Sequence, residues 1–98
     1  RFLQNPYWEA SLRPLSGLDS AVGEYVQSDL HFDPFIKNFL NLLEPLIPLY
    51  KQEGKSYLNI ALGCTGGKHR SVFCVETIKK RLDDLNLNLH VLHRDINH

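Results

Sequence analysis

Cysteine is scarce in this chain of 98 residues: Cys64 and Cys74 stand beside a single tryptophan and no methionine. Two cysteines, one read as a loop residue and one as a residue of the following helix, make no disulfide framework. They suit a reducing, cytoplasmic compartment. No CxxC pair or paired-histidine spacing is present, so no metal is expected. Surplus charge is lacking too. Eleven Lys/Arg balance eleven Asp/Glu, and global charge therefore offers no argument for nucleic acid. No apolar run could span a bilayer and no signal-peptide pattern is found, so no membrane partner is expected. The first residue is not methionine, and the opening at Arg1-Phe2-Leu3 reads as though cut from a longer protein just after or within a strand. With 43% apolar and 22% charged residues, the composition is that of an ordinary soluble protein, and the length suits one domain over residues 1–98.

Charge is uneven along the chain. Residues 1–50 hold three Lys/Arg and six Asp/Glu, whereas residues 51–98 hold eight and five. Residues 1–18 carry Pro6, Pro14, Gly17, Tyr7 and Trp8, which reads as a long ordered loop; its aromatics suit binding and core capping equally well. Asp19 can cap a helix over Ser20–Gln27 that buries Val22, Tyr25 and Val26. Asp33-Pro34 opens a second helix with apolar residues from Phe35 to Tyr50, which Pro45 and Pro48 should kink or end and Gly54 stops. Tyr57–Leu62 reads as a buried strand. His69 to about Leu85 reads as a third helix, Asn86–Asn88 as a turn and Leu89–His93 as another strand. This α-β-α-β succession predicts a small three-layer α/β domain with a mostly parallel sheet and a glycine-rich anion-binding loop between strand and helix. The sheet's carboxyl edge would gather the loop after Leu3, the loop at Gly63–Arg70 and the segment after Leu92.

The block Gly63-Cys64-Thr65-Gly66-Gly67-Lys68-His69-Arg70-Ser71-Val72 carries most of the chemistry. A strand-to-helix junction offers free backbone N–H groups and the positive helix end, and three cationic residues reinforce them. A nucleotide P-loop is disfavoured, because His69 stands where Ser or Thr would hold Mg²⁺. Cys64-x5-Arg70 followed by Ser71 matches the nucleophile loop of cysteine-dependent phosphatases. However, Gly63 replaces the usual preceding His, and Asp19 and Asp95 are only formal candidates for the general acid. A phosphate nest without chemistry needs fewer parts, with Arg70 as a bidentate fork and the amides of Thr65 to His69 around the anion. His93-Arg94-Asp95 should open at the same edge, and Arg13 and Asp19 could reach it from the N-terminal loop. His31, His90 and His98 have no evident partner. Lys79, Lys80 and Arg81 suit a solvated helix face or RNA phosphates.

Together, Arg1-Phe2-Leu3-Gln4-Asn5-Pro6-Tyr7-Trp8, Leu12-Arg13-Pro14-Leu15-Ser16-Gly17-Leu18-Asp19, the Gly63–Val72 block and His93-Arg94-Asp95 resemble the C-terminal domain of the RapZ family of RNase adapter proteins, the UPF0042 nucleotide-binding protein family. Gln4 departs from a usual proline there, with a local change in loop stiffness expected. The resemblance implies a non-catalytic domain that binds glucosamine-6-phosphate, or a similar amino-sugar phosphate, and small regulatory RNA in the control of amino-sugar synthesis. ATP or GTP would belong only to an N-terminal domain absent from this chain, and no cofactor is expected here. An endonuclease partner and a homo-oligomer are implied for the full-length protein. By motif match, Thr65, Gly66, Gly67, Lys68, His69, Arg70 and Ser71 would hold the ligand, with Tyr7, Arg13, Asp19, His93 and Arg94 around it. Lys68, Arg70, Lys79, Lys80, Arg81 and Arg94 would meet RNA.

Overall fold

Apolar residues recurring every three or four positions are buried where helices face one another, and among its described residues the computed structural model has three such helices. It describes residues 2–54, 57–85 and 87–97; the readings of Arg1, Asn86 and His98 fall outside the described residues. Helix α1 spans Ser20–Gln27, α2 spans Phe32–Gln52 and α3 spans Arg70–Leu82, with 3-10 turns at Pro6–Trp8 and Asp83–Leu85. Val22 and Val26 of α1, Phe32, Ile36, Leu40 and Leu43 of α2, and Cys74, Ile78 and Leu82 of α3 meet in one core, joined by Leu3 and Leu12 from the N-terminal loop. Burying a side chain of this size contributes about 1.5–3 kcal/mol, so the three apolar stripes hold the helices together. Tyr25 is only partly buried.

Helix α2 begins one residue before Asp33. Phe32 N–H donates to the Asp29 carbonyl at 3.0 Å, and Asp33 lies in the first turn, where its charge suits the helix dipole. The helix also runs through Pro45 and Pro48 to Gln52 instead of ending. Each proline removes one backbone donor. Leu43 is buried and Ile47 packs against the core, so burial keeps this stretch helical.

The parallel sheet is not there. Among the described residues no strand forms, and Tyr57–Leu62 and Leu89–His93 carry no regular structure. The three-layer α/β expectation is therefore replaced by a helical architecture. The physical reason lies in what a strand requires. Apolar β-formers favour an extended chain, but a strand exists only when its N–H and C=O groups find a neighbouring ladder. Among the described residues, no backbone–backbone hydrogen bond involves 57–62 or 87–92.

Gln4 does more than alter stiffness. Its backbone N–H donates to Asp29 Oδ2 at 2.9 Å, and its side-chain amide donates to the Tyr25 carbonyl and Ser28 Oγ, both at 2.9 Å. Three bonds thus tie the start of the chain to the end of α1, and a proline could make none of them.

Candidate functional site

Helix α3 starts where the glycine-rich loop turns. Gly66 and Gly67 have φ of +84° and +65°, a region that costs glycine nothing and other residues about 1–2 kcal/mol. The turn closes with Gly67 N–H donating to the Cys64 carbonyl at 3.2 Å. His69, at the N-cap position, makes no capping bond with its side chain. Cys64 acts there instead: its Sγ accepts the Ser71 backbone N–H at 3.2 Å and lies 3.3 Å from Ser71 Oγ. A helix N-terminus favours negative charge on that sulfur. Burial is the largest influence on the thiol and opposes ionisation. The Ser71 hydroxyl and amide, the Gly67 amide and the Arg70 charge together outweigh it and hold the thiol below its ordinary value. Cys74 is the converse: burial, then the nearby Cys64 charge, push it up to about 11. Both cysteines are free.

Arg70 is only 5% exposed. Its Nη1 donates to the Leu3 carbonyl at 3.3 Å, while its Nε finds no partner among the described residues. A guanidinium that surrenders its water for one long hydrogen bond stays electrostatically hungry, and an anion is what would satisfy it. His69, 6% exposed, likewise has an unpartnered Nε2.

The N-terminal loop builds the facing wall. Asn5 Oδ1 accepts the Tyr7 N–H at 3.1 Å, capping the 3-10 turn that Pro6 begins. Arg13 folds back over Tyr7, with its guanidinium carbon 4.6 Å from the ring centroid and Nε donating to the Tyr7 carbonyl at 2.8 Å. Trp8 stands edge-to-face with Tyr7 at 5.5 Å and is largely exposed. Gly17 locks this wall to α3. Its N–H donates to the Lys68 carbonyl at 2.9 Å, and a Cβ placed there would lie 2.4 Å from the His69 carbonyl oxygen.

Between wall and loop lies a cavity of about 520 Å³, lined by Asn5, Tyr7, Trp8, Arg13, Thr65, Gly66, Lys68 and His69. Arg13 and Lys68 bring positive charge, and no carboxylate is among these lining residues. The volume suits a small polar metabolite.

Six of the residues read from the sequence thus share one cavity: Tyr7, Arg13, Thr65, Gly66, Lys68 and His69. Arg70 and Ser71 sit behind it, engaged with Leu3 and Cys64. Gly67 faces Asp95 instead: a Cβ there would lie 3.1 Å from Asp95 Oδ2. Asp19 accepts the Ser16 N–H at 2.8 Å and holds the loop rather than lining the cavity. His93 is bonded to Glu76 at 2.9 Å, and exposed Arg94 forks onto Asp95, with Nε and Nη2 each at 3.2 Å. Lys79 pairs with Asp83 at 3.4 Å, and Lys80 and Arg81 are exposed in the last turn of α3. They stand at the far end from Lys68, roughly 16 Å of helix away. Trp8, read from the sequence as a loop aromatic suited to binding or core capping, also lines the cavity, and Asn5 joins it without having been singled out. Nothing in the sequence pairs Glu76 with His93.

Cys64 should alkylate with iodoacetamide at a pH below that of an ordinary thiol, while Cys74 stays inert. Ser71→Ala should move the Cys64 midpoint upward by removing one stabilising bond to the thiolate. Mass-spectrometric rates across pH check this; equal midpoints for both cysteines would refute it.

The family model described as the RapZ C-terminal domain matches residues 1–97. A nucleotide-binding protein of Geobacter sp. (strain M21) is 50% identical over 96 residues, covering 98% of this chain and 33% of that protein. One from Rhodospirillum rubrum is 51% identical over 96 residues, with 98% and 30% covered. Another, from Corynebacterium glutamicum (strain R), is 46% identical over 98 residues, with 99% and 32% covered. The chain therefore spans about a third of the length of these curated relatives.

Proposed function

This chain belongs to the RapZ C-terminal domain family, and from that premise we propose that it is a non-catalytic metabolite-sensing and RNA-binding domain of an RNase adapter. Its ligand is glucosamine-6-phosphate or a similar amino-sugar phosphate. The observation that carries this reading is the cavity of about 520 Å³ between the glycine-rich loop and the aromatic wall, with Lys68 and Arg13 on it and no lining carboxylate. Phosphate oxygens suit Lys68 and the loop around Gly66; the apolar face of a sugar suits Tyr7 or Trp8; hydroxyls suit Asn5 and Thr65. Nucleotide binding, which the relatives' names state of those longer proteins, is not assigned to this domain.

Calorimetric titration with glucosamine-6-phosphate tests the reading, with glucosamine, glucose-6-phosphate and inorganic phosphate as comparators. Micromolar binding that needs both phosphate and amine is the expected result. Equal weak binding of every phosphate would reduce the site to an unspecific anion nest.

RNA binding rests on Lys68, Lys79, Lys80, Arg81 and Arg94, which lie at both ends of α3, and needs an oligomer that sets several copies side by side. Affinity of the full-length protein should fall steeply with salt, and Lys80→Ala with Arg81→Ala should make the dependence shallower by roughly two phosphate contacts. Salt-insensitive binding would remove RNA from the function. An endonuclease partner follows from the same reading.

One observation favours a second reading, a cysteine-dependent phosphatase: the Cys64 thiol is held below its ordinary value beside Ser71 and Arg70. Cys64→Ser separates the two. A sensor keeps its affinity and has no turnover to lose, whereas a phosphatase loses turnover and traps its substrate.

A further inference from the structure

The sensor reading leaves one chemically active group without a task. Cys64 directly precedes Thr65 and Gly66, which line the cavity, and it is partly exposed. Its Sγ accepts the Ser71 backbone N–H at 3.2 Å and lies 3.3 Å from Ser71 Oγ, so the start of α3 favours a thiolate there. Behind it stands Arg70, 5% exposed, whose charge reaches that sulfur and whose Nε has no partner among the described residues. A buried donor left without an acceptor costs about 1–3 kcal/mol, so an oxygen brought to it would be held. Cys74, one turn into α3 from Arg70, is the other cysteine of this chain. It is buried, and burial and the Cys64 charge push its thiol up to about 11. The cluster thus sets an accessible nucleophile and an unused donor beside a second thiol that stays protonated.

We propose that Cys64 is a reversible oxidation site, converted by hydrogen peroxide to a sulfenate held by Arg70, and that this conversion weakens the anion site. The thiolate sulfur attacks one peroxide oxygen, so that an S–O bond forms and the O–O bond breaks. Sulfur loses two electrons and the peroxide gains them. The departing hydroxide takes the proton of the nascent sulfenic acid and leaves as water. The new oxygen then accepts the Arg70 Nε–H that has no other partner among the described residues. Cys74 does not carry the product on to a disulfide, because a buried, protonated thiol attacks slowly. Added thiols reverse the step. One attacks the sulfenic sulfur and releases water, and a second displaces Cys64 from the mixed disulfide. The effect on the cavity rests on the sugar-phosphate reading. Once Arg70 is paired with the sulfenate its pull on a phosphate is cancelled, and oxidation acts on affinity as loss of the Arg70 charge would.

The test uses the full-length protein, exposed to hydrogen peroxide with dimedone, which traps sulfenic acids, and mapped by mass spectrometry. The adduct should form at Cys64 at least ~10-fold faster than at Cys74, and Arg70→Met should slow it. In a second arm without dimedone, peroxide should weaken glucosamine-6-phosphate binding by roughly 2- to 10-fold in calorimetry, and dithiothreitol should restore it. Cys64→Ser should bind equally well before and after peroxide, which separates this cysteine from any other in the full-length chain. No adduct at Cys64, a Cys64–Cys74 disulfide in its place, or an adduct that leaves affinity unchanged would each overturn the proposal. A reduced protein without affinity for the sugar phosphate would remove the ligand reading and the control of it, while the adduct still decides the oxidation site.

Discussion

Gly17→Ala should lower the stability of this domain by about 3 kcal/mol and abolish ligand binding with it. The added methyl would sit 2.4 Å from the His69 carbonyl oxygen, 2.5 Å from the Phe73 backbone nitrogen and 2.8 Å from Val72 Cβ. Two of these atoms belong to the backbone of the α3 start and cannot rotate aside. Either the loop lifts off α3 or the first turn of α3 shifts. Both outcomes break the Gly17–Lys68 bond and separate Tyr7 and Arg13 from Lys68 and His69. Gly63→Ala is the control, because a Cβ there meets nothing within 4 Å. It should stay within about 0.5 kcal/mol of the parent. Urea denaturation of both variants decides the matter: a shared midpoint would mean the close approach at Gly17 is not what seats the loop.

Arg70→Met should leave the domain folded but weaken sugar-phosphate binding by roughly 2- to 10-fold, the effect of removing a charge that acts on the anion from behind the loop without lining the cavity. Methionine fills most of the buried volume and relieves the unpartnered Nε, so the fold gains a satisfied core while losing the bond to the Leu3 carbonyl. The positive charge behind the loop disappears. Two readouts should move together, because Arg70 helps to hold the Cys64 thiol down: ligand affinity should fall and the alkylation midpoint of Cys64 should rise. Unchanged affinity with a raised Cys64 midpoint would confine Arg70 to the cysteine and exclude it from the ligand site.

The helices were legible in the residues. Ser20–Gln27 is where the spacing of Val22 and Val26 puts it, because three- and four-residue periodicity is a local signal that packing then uses; Asp19 holds the N-cap position, but its carboxylate accepts from Ser16 and makes no capping bond. Pro45 and Pro48 each oppose a helix locally while the neighbouring apolar residues favour one through burial, and the helix runs on to Gln52, just short of Gly54, the stop read from the sequence. Tyr57–Leu62 and Leu89–His93 misled. Their composition is that of strands, but a strand's hydrogen bonds lie in another segment, which no single stretch of sequence contains.

The sequence by itself determined the chemistry of the site: a turn that only paired glycines accommodate cheaply, cationic residues beside it and an aromatic loop at the chain start. Each is a property of residue type and short-range spacing, readable without the fold. Only the tertiary structure decided the placement of those residues. Arg70 turned inward to Leu3, His93 went to Glu76, and Tyr7 and Arg13 came to face Lys68 because Gly17 lets the loop touch α3. These outcomes depend on pairs separated by tens of residues, and long-range packing alone brings such pairs within reach of one another.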